Sequence, residues 1–113
     1  MAQTVDATLT ALADPTRRHV VELLRERPRR AGELAAAFPI STPAMSRHLR
    51  VLRASGLVEA EFDDEDARVR LYRLRRQPFA DLQSWLDQVQ AFWTEQLGAF
   101  KAHAERTRKG RIR

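Results

Sequence analysis

The chain has 113 residues, no cysteine and a formal net charge of +5, from 20 Lys and Arg against 15 Asp and Glu. This length is typical of one domain with a real core, and the missing cysteines exclude disulfides, thiolate metal sites and thiol redox switches. A basic balance is typical of proteins that bind nucleic acid or an anionic membrane surface, although many solvated surfaces are also rich in arginine.

The sequence shows no sign of export or membrane insertion. Residues 1–9 lack the basic segment and long apolar run of a signal peptide. No stretch approaches the roughly 18 apolar residues that span a bilayer. We therefore expect a soluble, cytoplasmic protein without a membrane partner.

Two helices are predicted at the start of the chain. The first has apolar residues at positions i, i+4 and i+7, namely Val5, Leu9 and Leu12. For the second, Asp14 provides a capping acceptor and Pro15 is favoured at the first helical position. This second helix is expected to end before Pro28. Its predicted core residues are Val20, Leu23 and Leu24.

A short third helix is predicted over the sequence AGELAAAF. Its Leu34 and Phe38 share a face, and Pro39 ends it. The hydrophobic pattern then resumes in a fourth helix.

The fourth helix has clear start and stop signals. Thr42 is the expected N-cap, because the residue before a proline prefers the extended backbone that a cap also needs, and Pro43 then takes the first helical position. Gly56 is placed to end the helix in a left-handed conformation. One stripe faces the core and consists of Met45, Leu49 and Leu52. The opposite face consists of Pro43, Arg47, Arg50 and Ala54, flanked by Ser46.

The third and fourth helices and the turn between them, residues 39–42, predict a helix-turn-helix. The major groove of B-DNA admits a helix, whose N-terminal residues then meet the base edges. Small residues open the fourth helix, and the hydroxyls of Ser41 and Thr42 are suited to bases or phosphates. Arg47 and Arg50 follow one turn apart, where each is able to bond guanine. The pattern alone leaves a solvated amphipathic helix as an open alternative.

Two strand-like runs follow, LVEAEF and RVRLYRL, joined by the polar tip DDEDA. Val58, Ala60 and Phe62 alternate on one side of the first run. Together the runs predict a β-hairpin, and a helix-turn-helix followed by a hairpin is typical of a winged helix. We therefore expect a mostly α fold with a β-hairpin wing, in the order α-α-α-α-β-β-α, and this favours DNA as the partner.

The last helix is predicted to be the longest, at about two dozen residues from Phe79 to Phe100. Its apolar stripe is wider than so small a body is able to cover, which favours a second copy as the partner. Trp85 and Trp93 are accordingly interpreted as core and dimer interface rather than a ligand pocket. With no internal repeat and no Gly/Ser linker, residues 1–105 are expected to form one domain with terminal dimerisation helices. Residues 106–113 are expected to form a basic flexible tail.

Two motifs give the sequence a resemblance to a known family. ALADPTRRHVVELL resembles the second-helix motif, and SRHLRVLRASGLV the recognition helix, of the ArsR/SmtB-type winged-helix transcriptional repressors. The likeness extends over roughly residues 5–100. It implies a homodimer in which the first and last helices pair and two recognition helices read a palindromic operator.

The resemblance also implies which residues act. The DNA contacts that it implies lie on or beside the recognition helix: Thr42, Pro43, Ser46, Arg47 and Arg50, with His48 at the edge. Ser41 is a further candidate DNA contact because of its hydroxyl at the helix start. The dimer interface expected on the first and last helices consists of Val5, Leu9, Leu82, Leu86, Val89, Trp93, Leu97 and Phe100.

The sequence departs from the metal-sensing members of that family. They often carry cysteines in the third helix, where this chain has ELAAAF, or Asp-x-His and His-x-x-Glu pairs on the last helix. Here the last helix offers Asp81, Asp87 and His103 without such pairing, and a transition metal needs several converging ligands. We therefore expect no metal and no cofactor. An inducer cannot be read from the sequence.

The second departure is the acidic wing tip, whose four carboxylates phosphate would repel. Either the tip stays away from DNA while Arg68 and Arg70 make the contacts, or the wing contributes little.

No sequence feature indicates an enzyme, since no glycine-rich phosphate loop, nucleophile–base pair or carboxylate pair is recognisable. Two functions from different classes therefore remain. The first is a sequence-specific DNA-binding repressor, which the exposed arginines favour. The second is a winged-helix module that binds another protein, which the acidic wing favours.

Overall fold

A computed structural model describes residues 4–62 and 70–111. The elements in these ranges are helix α1 Val5–Leu12, helix α2 Pro15–Glu26, strand β1 Arg29–Arg30, helix α3 Ala31–Ala36, helix α4 Thr42–Ala54, strand β2 Val58–Phe62, strand β3 Arg70–Leu74 and helix α5 Arg76–Arg111. The predicted winged helix-turn-helix is confirmed, and the structure adds the two-residue strand β1. The wing tip DDEDA and Arg68 lie outside the described residues.

The junction of α1 and α2 is built by side chains that satisfy backbone groups at helix ends. Asp14 is the N-cap of α2, where its Oδ1 accepts a hydrogen bond from the Arg17 amide at 3.1 Å, and Pro15 occupies the first turn as predicted. Arg18 donates through Nη1 to the carbonyls of Leu12 and Ala13, at 2.8 and 3.1 Å. These carbonyls belong to the last residue and the C-cap of α1, where a helix leaves acceptors without partners.

The core-facing side of α1 differs from the predicted stripe. Its buried residues are Thr8 and Ala11, whereas Leu9 keeps 42% of its surface exposed. Of the apolar residues that gave the helix its periodicity, Leu12 is half-buried and packs against the core, Val5 is half-buried and Leu9 is exposed. The stripe therefore lies at the edge of the core rather than within it.

The sheet has the strand order β1-β3-β2, and both pairings are antiparallel. In the wing hairpin Val58 pairs with Leu74 and Phe62 with Arg70. Along β2 the expected apolar side is buried at Val58, half-buried against the core at Ala60 and exposed at Phe62, so it leaves the core only at its far end. Strand β1 pairs Arg29 with Tyr72. The sequence did not predict β1, because two arginines form no alternating apolar pattern and their partners in β3 lie far along the chain.

The hydrophobic core combines residues from the first four helices, from strands β2 and β3 and from the turn before β2. Its buried apolar residues are Ala11, Val20, Leu24, Leu34, Met45, Leu49, Leu52, Leu57, Val58 and Tyr72. Leu23 and Phe38, which were expected inside, are half-buried and pack against this cluster. Phe38 lies beyond the end of α3, so it does not share a helical face with Leu34.

The chain divides into two compact units, Met1–Leu82 and Gln83–Arg113. Helix α5 has 36 residues and continues to Arg111, so it is longer than the predicted two dozen residues and includes positions 106–111, which were expected to form a basic tail. Those positions lack apolar periodicity, but arginine and lysine are good helix formers and sustain the helix without a buried face. None of the described helices combines the length and apolar character needed to cross a membrane.

Candidate nucleic-acid interface

The start of α4 is fixed by a serine cap. Ser41 is the N-cap, and its Oγ accepts a hydrogen bond from the Ala44 amide at 3.2 Å. The N-cap thus lies one residue before the expected Thr42. Pro43 has no N–H to offer at the second helical position, so the cap bonds the third amide. The Met45 amide already donates to the Ser41 carbonyl at 3.0 Å.

The two faces of α4 follow the predicted pattern. Met45, Leu49 and Leu52 are at most 2% exposed. The residues of the opposite face are all exposed: Pro43, Ser46, Arg47, Arg50 and Ala54. The helix ends at Ala54, and Gly56 has a φ of 79°, in the left-handed region that the sequence predicted. The core thus holds α4 by one stripe and leaves its other side to solvent.

The exposed side of α4 is cationic. The sequence of α3 and α4 contains a single carboxylate, Glu33, and the Arg27 guanidinium binds it at 2.7 Å. That hydrogen bond, with a second from the Arg30 amide, lowers the pKa of the Glu33 carboxyl below its ordinary value. Among the described residues neither Arg47 nor Arg50 pairs with a carboxylate. These two side chains are therefore available for an external anion.

His48 occupies a different environment from its neighbours. It is half-buried, and its Nδ1 lies 3.3 Å from Nη1 of Arg17. Arg17 also donates to the carbonyls of Ala11 and Thr10, at 2.7 and 3.3 Å. One guanidinium thereby connects the end of α1 to the middle of α4. The sequence analysis missed this role, because nothing local in the chain relates Arg17 to a residue on α4.

A shallow groove of about 330 Å³ runs between α3 and α4. Its lining consists mainly of small side chains: Ala31, Gly32, Ala35, Ala36, Thr42, Met45, Ser46 and Leu49. An adjoining depression is lined in part by Arg50, Arg53 and Tyr72. Arg53 was not among the predicted contacts, although its spacing of three from Arg50 places both on one helical face. Because these side chains are small, the backbone of a bound ligand is able to come close to the surface beside the exposed side of α4.

The wing is described only in part. Arg70 is the first residue of β3, where it pairs with Phe62, and Arg68 lies outside the described residues. Contact between either arginine and DNA stays a prediction. His19 is exposed and stacks on Phe38, with ring centroids 6.2 Å apart.

A cationic helix at the end of a helix-turn-helix, followed by a β-hairpin, defines the winged-helix class of DNA-binding proteins. The comparisons with known proteins agree. Residues 14–60 match the model of the bacterial regulatory proteins of the arsR family. The HTH-type transcriptional regulator Rv2034 of Mycobacterium tuberculosis (strain ATCC 25618 / H37Rv) is 41% identical over 95 residues, which cover 84% of this chain and 83% of that protein.

Further relatives give the same result. The transcriptional repressor SdpR of Bacillus subtilis (strain 168) is 32% identical over 76 residues, which cover 67% of this chain and 81% of that protein. The structure of an ArsR-like transcriptional regulator from Rhodococcus sp. RHA1 superposes with a TM-score of 0.78 at 31% identity, covering 89% of this chain and 90% of the other. The chain belongs to the ArsR family, and it is a DNA-binding transcriptional regulator.

Proposed function

We propose that this chain is a homodimeric repressor that reads a palindromic operator through α4 and needs no metal to do so. The observation that carries the proposal is the exposed face of α4, on which Arg47 and Arg50 have no carboxylate partner among the described residues.

The proposed contacts divide into two kinds. Arg47 and Arg50 read base edges, because an arginine fork matches the two acceptors of guanine in the major groove. The start of α4 approaches the phosphates, where helix-start amides and hydroxyl donors are favoured. Ser41 already uses an oxygen lone pair in its cap, and its hydroxyl hydrogen remains a possible donor. The other proposed contacts are Thr42, Pro43, Ser46 and His48, with Arg68 and Arg70 from the wing.

The proposed dimer rests on apolar side chains that the chain itself leaves uncovered. Trp93, Leu97 and Phe100 of α5 expose 59%, 60% and 72% of their surfaces, and Leu9 of α1 exposes 42%. Apolar surface of this extent on consecutive helical turns is typical of a protein interface. The interface that we propose consists of Val5, Leu9, Leu82, Leu86, Val89, Trp93, Leu97 and Phe100.

Repression without a metal is supported by two further observations. The relative from Bacillus subtilis is a transcriptional repressor. We infer that this chain also represses, by occupying its operator. The chain has no cysteine, and the described ranges, 4–62 and 70–111, contain no group of three His, Asp or Glu side chains suited to a metal ion.

Selection of bound duplexes from a random DNA library tests the proposed function. We expect enrichment of an inverted repeat whose half-sites are about 10 base pairs apart, or a multiple of that, as a two-fold dimer with one helix per groove requires. The double variant Arg47→Ala/Arg50→Ala should enrich no sequence. Arg106→Ala/Arg108→Ala, which removes two exposed arginines near the end of α5, should enrich the same repeat. A library that the unaltered chain leaves unenriched would contradict the proposal.

A further inference from the structure

A second concave site lies in the first unit, outside the candidate nucleic-acid interface. It is a cleft of about 530 Å³ between α2, the end of β3 and the first turns of α5. The residues that line it are Val21, Glu22, Arg25, Leu74, Arg75, Arg76, Phe79 and Ala80. Its volume falls within the range of small-molecule sites, about 300–1,000 Å³. Neither DNA reading nor the proposed dimer interface uses these residues.

The floor of the cleft is apolar. Val21, Leu74 and Phe79 are half-buried and pack against the hydrophobic core with one side while their other side lines the cleft. A side chain held in this way is a fixed wall rather than a mobile surface group. The cleft therefore offers an apolar ligand a preformed contact surface.

The rim of the cleft is positively charged, with three arginines against one glutamate. Glu22 is held by Arg25, whose Nη2 lies 3.1 Å from the carboxylate. Arg75 and Arg76 are the other two cations. Arg76 begins α5, and the first turn of that helix contains no acidic residue, so the positive end of the helix dipole adds to their charge. Charge complementarity thus favours an anionic group at this edge.

We propose that this cleft binds a small amphipathic carboxylate. Its aliphatic or aromatic body contacts Val21, Leu74 and Phe79, and its carboxylate is held by Arg75 and Arg76. A guanidinium carries five N–H donors in a planar fork that matches a carboxylate, so a single arginine is able to hold two oxygens.

Arg75 also connects the cleft to the end of α4. Its Nη1 donates to the Gly56 carbonyl at 3.2 Å, and its amide donates to the Leu57 carbonyl at 2.9 Å. Gly56 is the left-handed residue just beyond the last turn of α4. A carboxylate that draws the guanidinium away from Gly56 removes one of the contacts that hold this turn. This link, which rests on the proposed function, makes the bound carboxylate a modulator of DNA affinity.

Direct binding of octanoate, measured by titration calorimetry on the full chain, tests the site. We expect saturable binding of one octanoate per protomer and at least tenfold weaker binding of octan-1-ol, which has the same chain length without the charge. Arg75→Gln should weaken octanoate binding about tenfold, and so should Arg76→Gln, a surface change that leaves the Gly56 contact intact. Arg27→Gln, an arginine away from the cleft, should leave binding unchanged.

Three results would overturn the site: no saturable binding of octanoate, equal binding of octan-1-ol, or unchanged binding in both cleft variants. Sedimentation of Arg76→Gln and of one further variant, Phe79→Ala, identifies a competing occupant. If Arg76→Gln and Phe79→Ala dissociate a dimer that octanoate does not affect, a second copy covers the cleft and the proposal is wrong.

The link to α4 is tested separately, on the duplex obtained by selection. Octanoate at saturation should weaken DNA binding several-fold in the unaltered chain and have no effect in Arg75→Gln. Octanoate binding without any change in DNA affinity would overturn the link and leave the site in place. A chain that binds octanoate but no DNA would contradict the proposed function rather than this site.

Discussion

The two compact units of the chain use apolar residues in opposite ways. In Met1–Leu82 the apolar stripes of several helices meet in one core, and Leu34 and Leu52 are fully buried there. In Gln83–Arg113 the large apolar side chains of a single helix remain open to solvent, from Trp85 at 41% to Phe100 at 72% exposed. The first unit therefore has its own buried core, whereas the second leaves a wide apolar face exposed.

Helical periodicity therefore identifies an apolar face, but it does not determine whether the same chain or a partner covers that face. The stripe of α4 and the stripe of α5 both repeat at spacings of three and four. The first is buried by its own chain and the second is not. Experiments that remove one side chain from each stripe should consequently give different kinds of result.

The largest effect is expected in the core of the first unit. Leu52→Ala should lower the free energy of unfolding by about 2–5 kcal/mol, because it removes a fully buried side chain and leaves a cavity. Urea denaturation monitored by circular dichroism measures the change. The neighbouring Val51, which is 37% exposed on the same helix, is the control, and Val51→Ala should cost much less. Equal losses in the two variants would show that α4 is not held by the stripe described.

In the second unit, removal of an apolar side chain should weaken self-association rather than lower the free energy of unfolding. Trp93→Ala should weaken self-association by about 2 kcal/mol or more, since a large aromatic side chain at an interface is a common binding hot spot. Sedimentation equilibrium across micromolar concentrations measures this. Glu95→Ala, an exposed polar position two residues on, should leave association nearly unchanged. A chain that is monomeric throughout, with or without Trp93, would refute the proposed dimer.

A smaller effect is expected at the cap of α2. Asp14→Ala should cost about 0.5–2 kcal/mol of stability, because it leaves the Arg17 amide without its acceptor. Asp14→Asn keeps a side-chain oxygen at the same place and should cost only a few tenths of a kcal/mol at pH 7. Thermal or urea unfolding of the two variants distinguishes loss of the cap from loss of the charge.

The same pair of variants predicts a dependence on pH. The hydrogen bond from the Arg17 amide, followed by the charges of His48 and Arg17, lowers the pKa of the Asp14 carboxyl below its ordinary value. A carboxyl with a lowered folded-state pKa contributes stability above its unfolded pKa of about 3.9, and this is lost as the pH falls through the folded value. The advantage of the native chain over Asp14→Asn should therefore disappear on acidification below about pH 4. An advantage that grows with acid would contradict this sign.

No effect is expected from metals. Because the chain has no cysteine and its histidines are scattered, zinc, cadmium, nickel and copper should leave the affinity of the protein–DNA complex unchanged. Titration of each metal into the complex, with EDTA as the reference, measures this. A saturable loss of binding at one metal per protomer would reveal a site that neither the sequence nor the described residues indicate.

Local signals predicted most of the fold and of the candidate site. Asp14-Pro15, the stripe of α4 and Gly56 each depend on residues within a few positions, and each is as predicted. The misses depend on distant partners or on competing local chemistry. Strand β1 exists only because Arg29 pairs with Tyr72, and Arg17 reaches His48 on another helix.

The remaining differences have physical reasons of the same kind. Ser41 rather than Thr42 caps α4, because the helix begins one residue earlier: the Met45 amide donates to the Ser41 carbonyl, which gives Thr42 a helical position. Helix α5 continues to Arg111, beyond the end of its apolar pattern, because arginine and lysine have a high helix propensity. The cleft between α2 and α5 has no sequence signature, since its walls come from two stretches, 21–25 and 74–80, that are far apart in the sequence.

Comparing Arg47→Ala and Arg50→Ala on the selected operator and on random DNA tests the central claim most directly. Fluorescence anisotropy at two salt concentrations should show a loss of about 1–3 kcal/mol on the operator and much less on random DNA, because a base contact carries specificity. Arg106→Ala/Arg108→Ala should instead weaken binding to both DNAs equally, if it has any effect, and flatten the salt dependence. If the α4 variants lowered both affinities equally, or changed neither, the exposed arginines would be a solvated face. The alternative of a protein-binding module would then be favoured over DNA reading by α4.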